Sequence, residues 1–263
     1  MAVNIGYTLA KEFDKKVLLI DVDPQMNATQ YTLSAHNVLD ILEHPQKSII
    51  SILHDDYDLP NVVSSTSKEY TEDVSVILNI SKNLDIIPSH LKLMGLDLDK
   101  SQSTHMLKQY INENRLRDKY DAILIDSPPT ISGYMTMSLI ASDAYLVPMK
   151  TDFLSYYGLS LLENHVIRFK KRLELKLDFL GIILTMTRKD WTIYSDVKDR
   201  ILGNPEWKDK LFLNESSYST KVEGALSPER REKGMAYIIE INNEKLQGEM
   251  KNITREFIHK ARL

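Results

Sequence analysis

Apolar and polar positions follow two rhythms along this chain. Val3, Gly6, Leu9, Ala10 and Phe13 recur at intervals of three and four, which predicts a helix from Met1 to Phe13. Val17 to Ile20 is then an unbroken, branched apolar run, the pattern of a strand buried on both faces of a parallel sheet. Similar runs predict strands at Leu84 to Ile87, Ala122 to Ile125, Ala144 to Val147 (closed by Pro148) and Phe179 to Met186. Helical spacing returns between them. It predicts a short helix from Asn37 to Leu42 capped by Asn37, and a helix whose apolar side is Leu91, Leu93, Met94 and Leu96. Further helices are predicted over Ser103 to Arg117, over Ile131 to Ala141 with Met135, Leu139 and Ile140 inward, and over Leu154 to Arg172. In the last, Glu244 to Arg262, the residues Leu246, Met250, Ile253, Phe257 and Ala261 form one stripe. Asp23 to Ser34 reads as a polar loop, Pro45 to Glu72 is poorly patterned, and Ser64 to Ser67 marks a surface loop. The alternation of strand and helix predicts an α/β fold. It is a single domain over 1–263, a mostly parallel twisted sheet with helices on both faces.

Composition narrows the function. At 43% hydrophobic and 27% charged, the chain has an ordinary globular balance. No apolar run approaches the ~20 residues of a membrane span, and no basic-then-apolar leader opens the sequence, so a cytoplasmic protein is expected. With no cysteine there is no disulfide, thiolate metal site or iron–sulfur cluster. A net charge of −4 argues against nucleic-acid binding by the whole surface but leaves room for a local basic patch.

The chemistry gathers where strands end. Val17 to Ile20 runs into Asp21 and Asp23, followed by Pro24. Ala122 to Ile125 runs into Asp126, followed by Pro128 and Pro129. Ligands of open α/β sheets sit beyond the carboxyl ends of the strands. Asp-x-Asp-Pro alone reads as two solvated turn acids; a second strand ending in an acid points to a metal site. Mg²⁺ needs only one or two carboxylates and keeps several waters, so Asp126 suffices as a ligand, with Asp21 beside it. From 168 to 189 the basic residues Arg168, Lys170, Lys171, Arg172, Lys176, Arg188 and Lys189 outnumber Glu174 and Asp178, a local net of +5. Such a run is either a solvated face or a phosphate-contacting patch. Arg230 and Arg231 are a second candidate. The seven histidines are scattered and form no metal-ligand spacing.

On Asp23-Pro24-Gln25-Met26-Asn27-Ala28-Thr29 after one strand and Asp126-Ser127-Pro128-Pro129 after another, the chain resembles the ParA/MinD family of P-loop ATPases, in particular the ParA-type partition proteins. Asn83 to Ser89, Leu146-Val147-Pro148, Tyr157-Gly158-Leu159 and Gly181 to Met186 extend the resemblance over nearly the whole chain. It implies ATP and Mg²⁺ as cofactors. Asp23 would orient the attacking water, Asp126 and Asp21 would serve the metal, and Met186, Thr187 and Pro148 would lie around the adenine. It also implies a homodimer formed on ATP binding, non-specific double-stranded DNA as a nucleoid ligand, and a ParB-like centromere-binding partner. The family's loop Lys-Gly-Gly-Val-Gly-Lys-Thr-Thr is not found in residues 1–263. A fragment, a misassigned start codon and a natural loss of ATP binding are all open. Two alternatives follow: a regulator of the same fold that binds DNA or a partner without catalysis, and a MinD-like ATPase whose last helix lies on membranes. The sheet is also expected to lack a central strand, leaving Val17–Ile20 and Ile123–Ile125 partly unflanked.

Overall fold

A computed structural model describes residues 1–53, 75–96, 98, 103–225 and 237–263. Six strands are described: β1 (Val17–Asp21), β2 (Leu78–Ser81), β3 (Leu84–Ile87), β4 (Ala122–Asp126), β5 (Ala144–Lys150) and β6 (Asp178–Thr185). They form two sheets, one in the order β2-β3-β1-β4 and one pairing β5 with β6. Every pairing is parallel except β2 with β3.

The strand β1 is buried along its whole length, and its side chains divide by the two-residue period of a strand. Val17 and Leu19 join Leu84, Ile86 and the helix α1 (Ala2–Glu12) on one face, and Leu18 and Ile20 pack with Ile87, Leu107 and Met137 on the other. Gly6 lets α1 approach β1 closely: a Cβ there would lie 2.9 Å from Leu19 Cδ2, whose side chain would have to shift.

β1 has β3 on one side and β4 on the other, so Val17–Ile20 is flanked after all. β4 and β5 do not pair, and a cleft of about 470 Å³ runs between them. The missing-strand expectation therefore holds for Ile123–Ile125 and fails for Val17–Ile20. β5 does not stop at Pro148 but continues to Lys150; a proline is tolerated there because β5 is an edge strand.

The structure corrects the local reading in four places. The loop from Asp23 to Ser34 holds a short helix, α2 (Asn27–Thr32). The next helix, α3 (Ala35–Glu43), is capped by Ser34, whose Oγ accepts from Asn37 N–H, so Asn37 is the recipient of the cap. Leu91–Gly95 is a 3₁₀ segment that buries Leu93 and leaves Leu91 and Met94 exposed. The helix expected from Ser103 to Arg117 is broken at Arg115, whose left-handed backbone separates α4 (Met106–Glu113) from α5 (Leu116–Lys119). The segment with Ser64 to Ser67, like Arg230 and Arg231, lies outside the described residues.

The remaining helices are α6 (Gly133–Ala141), α7 (Phe153–Leu173), α8 (Thr192–Gly203), α9 (Thr220–Ala225) and α10 (Glu244–Ala261). The α10 stripe of Leu246, Met250, Ile253 and Phe257 is buried in the same core as α1.

Candidate functional site: the acidic end of the sheet

Asp21 and Asp126 are register partners at the carboxyl ends of β1 and β4. Their environments differ. Asp21 is fully buried, and both of its oxygens are taken. Oδ1 accepts from Asp23 N–H at 3.1 Å, and Oδ2 accepts from Thr29 N–H at 2.8 Å and Thr29 Oγ1 at 2.7 Å. Burial raises its pKa to about 7, against the opposing pull of the Thr29 hydrogen bonds. An acid so sealed organises the loop; its lone pairs are not turned toward a ligand. Thr29 Oγ1 also accepts from Ser89 N–H at 2.9 Å, and Ser89 Oγ donates to Asp23 C=O at 2.6 Å. One network thus ties the ends of β1 and β3 together and fixes Asp23.

Asp23 is half-buried. Its Oδ1 accepts from Gln25 N–H at 2.9 Å, an Asx turn, while Oδ2 has no protein partner among the described residues. Asp126 has no side-chain hydrogen bond among the described residues. Its pKa is raised, first by burial and then by the Asp23 charge, and the amino group of Met1 opposes both. The loop after β1 and the end of β4 therefore present two open carboxylates, Asp23 and Asp126, beside the amino end of α1. This is the place where an α/β sheet binds its ligand.

The predicted base-binding residues lie one strand further on. Lys150 pairs with Thr185, so Met186 and Thr187 follow just past the end of β5, and Pro148 lines the cleft with Asp126. Met186 has a left-handed backbone (φ +53°) and a partly exposed side chain. Thr187 is buried, its N–H given to Ser216 C=O and its own C=O accepting from Tyr218 N–H. Sequence reasoning misses what holds that loop. Glu256 accepts from the N–H groups of Leu213 and Asn214, and Glu249 accepts from Ser217 N–H and Oγ. These two α10 acids clamp the segment that flanks Thr187. Nothing in their spacing signals this, because their partners are backbone groups some 30 to 40 residues away.

The basic run is not one patch. Arg168, Lys171 and Arg172 are exposed near the end of α7, and the Lys170 amine donates to Leu177 C=O. Arg188 and Lys189 lie past the opposite end of β6, eight residues away in strand, or about 26 Å. There the Arg188 guanidinium is held between the rings of Trp191 and Tyr218, at 4.5 and 3.8 Å from their centroids, and Lys189 pairs with Glu215.

The acids match the metal end of a nucleotide site, but the phosphate end does not fit the residues present. Among the described residues, Arg117 is the only Lys or Arg lining the cleft; it pairs with Asp143 at the end remote from Asp126. Among the described residues, a triphosphate in the cleft would meet the Asp126 carboxylate with no lysine or arginine of the lining and no glycine-rich run of N–H groups beside it. Among the described residues, no group of three or more His, Cys, Asp or Glu could hold a metal alone. No chemical step is therefore assigned through a nucleotide for residues 1–263.

A mostly parallel sheet with acids grouped at the carboxyl ends of neighbouring strands places this chain among the α/β proteins that bind ligands at that end of the sheet. An AAA domain family model matches residues 1–179. The sporulation initiation inhibitor protein Soj of Bacillus subtilis is 31% identical over 189 residues, covering 70% of this chain and 66% of Soj. A plasmid partition protein from Borrelia burgdorferi has a similar structure, with a TM-score of 0.66 at 24% identity, covering 98% of this chain and 91% of that one. The ATP complex of a McdA variant from Cyanothece gives 0.72 at 18% identity, covering 97% and 89%. The chain belongs to the ParA/MinD family of P-loop ATPases. It spans about two thirds of the length of the curated relatives it matches.

Proposed function

We propose that this protein acts in the segregation of plasmid or chromosomal DNA, as an ATP-dependent homodimer that associates with non-specific double-stranded DNA and answers to a ParB-like centromere-binding protein. The observation that carries this reading is the placement of Asp23 and Asp126 at the ends of adjacent parallel strands, in a chain of the partition family. Asp126 would hold Mg²⁺ and Asp23 would align water, in an assembly that supplies the phosphate loop. The exposed Leu154, Tyr157 and Leu161, spaced by three and four on α7, support a self-association surface. The exposed Arg168, Lys171 and Arg172 support the DNA contact and the nucleoid location. The test is Asp23→Ala in the native host, read as loss of the encoding replicon per generation. Faster loss at an unchanged protein level is expected; a wild-type loss rate would remove the partition reading.

The second reading, a regulator without catalysis, is favoured by the cleft lining beside Asp126, where among the described residues Arg117 is the only lysine or arginine and lies at the remote end. Calorimetry with ATP on the 263-residue chain separates the two. Micromolar affinity would retire the regulator and show that these residues suffice for the nucleotide. The MinD-like reading loses its apolar face, because the α10 stripe is buried in the core. No helix among the described residues is long and apolar enough to cross a membrane.

A further inference from the structure

We propose that His90 is a positioning residue for Asp23, acting through Ser89, and that protonation of its ring releases the Asp23 loop. This rests on the reading of Asp23 as a functional acid and adds a control to it.

The first observation is the path of the chain past β3. Ser89 is fully buried and spends both of its donors on the loop after β1. Its N–H goes to Thr29 Oγ1 at 2.9 Å and its Oγ to Asp23 C=O at 2.6 Å. His90 follows and is buried as well. Its Nδ1 accepts from Lys92 N–H at 2.9 Å and so caps the Leu91–Gly95 segment. Nε2 lies 3.4 Å from Leu42 C=O, at the end of α3. The segment is tied on its other side too, where the Tyr134 hydroxyl of α6 donates to Leu93 C=O. One short turn thus joins the loop that carries Asp23 to the helix that follows Asp126, and His90 stands at its head.

The second observation is the chemistry of the cap. Ser, Thr, Asp and Asn are the usual caps, and none of them titrates between about pH 5 and 8. A histidine in that place makes the cap conditional. Nδ1 holds Lys92 N–H only through its lone pair; a proton there sets two donors face to face. Nε2–H keeps Leu42 C=O in either state, so the ring stays on α3 and the break falls between His90 and Lys92. Ser89 is the neighbour of that break, and its two bonds to the Asp23 loop are strained by it.

The third observation is the charge around the ring. Lys92, on the same segment, disfavours the added proton. On α3, Asp40 is engaged by Lys47 and His44, and Glu43 is exposed. Asp23 meets this turn through its C=O, while its carboxylate accepts from Gln25 N–H. α6 offers the Tyr134 hydroxyl. Burial is the largest influence and, with Lys92, lowers the ring's pKa below 6.5 against the pull of Leu42 C=O. The ring is therefore neutral and the loop held at pH 7. The latch opens as pH falls through the lowered value.

The test is a nuclear magnetic resonance titration of the 263-residue chain from pH 7.5 to 5, without nucleotide. It follows the His90 ring and the amides of Lys92 and Gln25. Asp21, which titrates at about 7, adds its own step near Gln25, so the step that counts is the one sharing the ring's midpoint. Lys92 and Gln25 should both show that step, and their protection against exchange should fall about threefold or more across it. His90→Asn keeps a capping acceptor and should lose the step at both amides. Ser89→Ala should keep it at Lys92 and lose it at Gln25. A Gln25 amide that stays flat in the wild type while the ring titrates would overturn the proposal, and so would a Gln25 step that survives in either variant. The wild-type titration and Ser89→Ala decide the matter even where His90→Asn does not fold. No readout uses nucleotide or DNA, so failure here is separate from failure of the partition reading.

Discussion

At the residue scale, Thr29 is the joint of the acidic site. Its hydroxyl donates to the buried Asp21 carboxylate and accepts from the buried Ser89 amide. Thr29→Val keeps the shape and leaves both groups without that partner. Unpaired buried polar groups cost about 1–3 kcal/mol each, so the variant should lose stability of that order. Urea unfolding of the two proteins at one pH measures it. An unchanged midpoint would mean that the network does not hold the loop. The identity of the acids is legible because Asp and Pro after a branched apolar run is a local pattern. Their division of labour is not. Asp21 and Asp23 look alike in sequence, and only the return of Thr29 onto β1 shows which one is sealed. Gly181 is equally mute: its φ of +143° and the 2.0 Å approach that a Cβ would make to Lys210 C=O mark a site reserved for glycine, within a strand that reads as ordinary.

At the scale of elements, strands are easier to read than helices. β1 and β4–β6 are largely apolar runs, β3 is apolar apart from Asp85, and all appear within a few residues of where the pattern puts them. β2, with its Leu78-Asn79-Ile80-Ser81 alternation, escapes that pattern because it is a four-residue antiparallel edge. The Leu91–Gly95 segment reads as an ordinary helix because five residues cannot show whether their period is 3.0 or 3.6. His90 caps that segment: its Nδ1 accepts from Lys92 N–H at 2.9 Å, and Nε2 faces Leu42 C=O at 3.4 Å. This arrangement needs the neutral ring with its proton on Nε2. Burial, reinforced by the Lys92 charge, lowers the His90 pKa below its ordinary 6.5, although Leu42 C=O opposes the shift. A lowered folded-state pKa means that protons bind the unfolded chain better. The contribution is therefore present above about pH 6.5 and is lost as pH falls through the lowered value. His90→Asn keeps a capping acceptor and removes the titration. Between pH 7.5 and 5, the wild type should lose more stability than the variant in paired denaturant titrations. Equal slopes, or a steeper one for the variant, would refute this role for His90.

At the scale of the whole molecule, the charge run is where sequence and fold part most clearly. Counted along the chain, Arg168 to Lys189 is one basic segment; folded, β6 carries its two ends apart. Arg188 is engaged by the rings of Trp191 and Tyr218, and Lys189, though exposed, is paired with Glu215. Arg168, Lys171 and Arg172 remain exposed at one end of α7, on a helix whose last turn also benefits from cations. If duplex DNA is bound without sequence preference, affinity should come from phosphate neutralisation, and the salt dependence reports how many phosphates are neutralised. Arg168→Ala with Lys171→Ala should weaken binding about equally for unrelated duplexes and reduce the slope of log affinity against log salt by about 0.9 for each phosphate left un-neutralised. Arg188→Ala with Lys189→Ala should leave that slope near the wild-type value and lower thermal stability instead, because it empties the Trp191–Tyr218 sandwich and frees the nearly buried Glu215 from one partner. Binding isotherms at several salt concentrations decide between the two ends of β6. A slope that falls only with the Arg188 pair would move the DNA surface to the end of the sheet that carries Asp23 and Asp126.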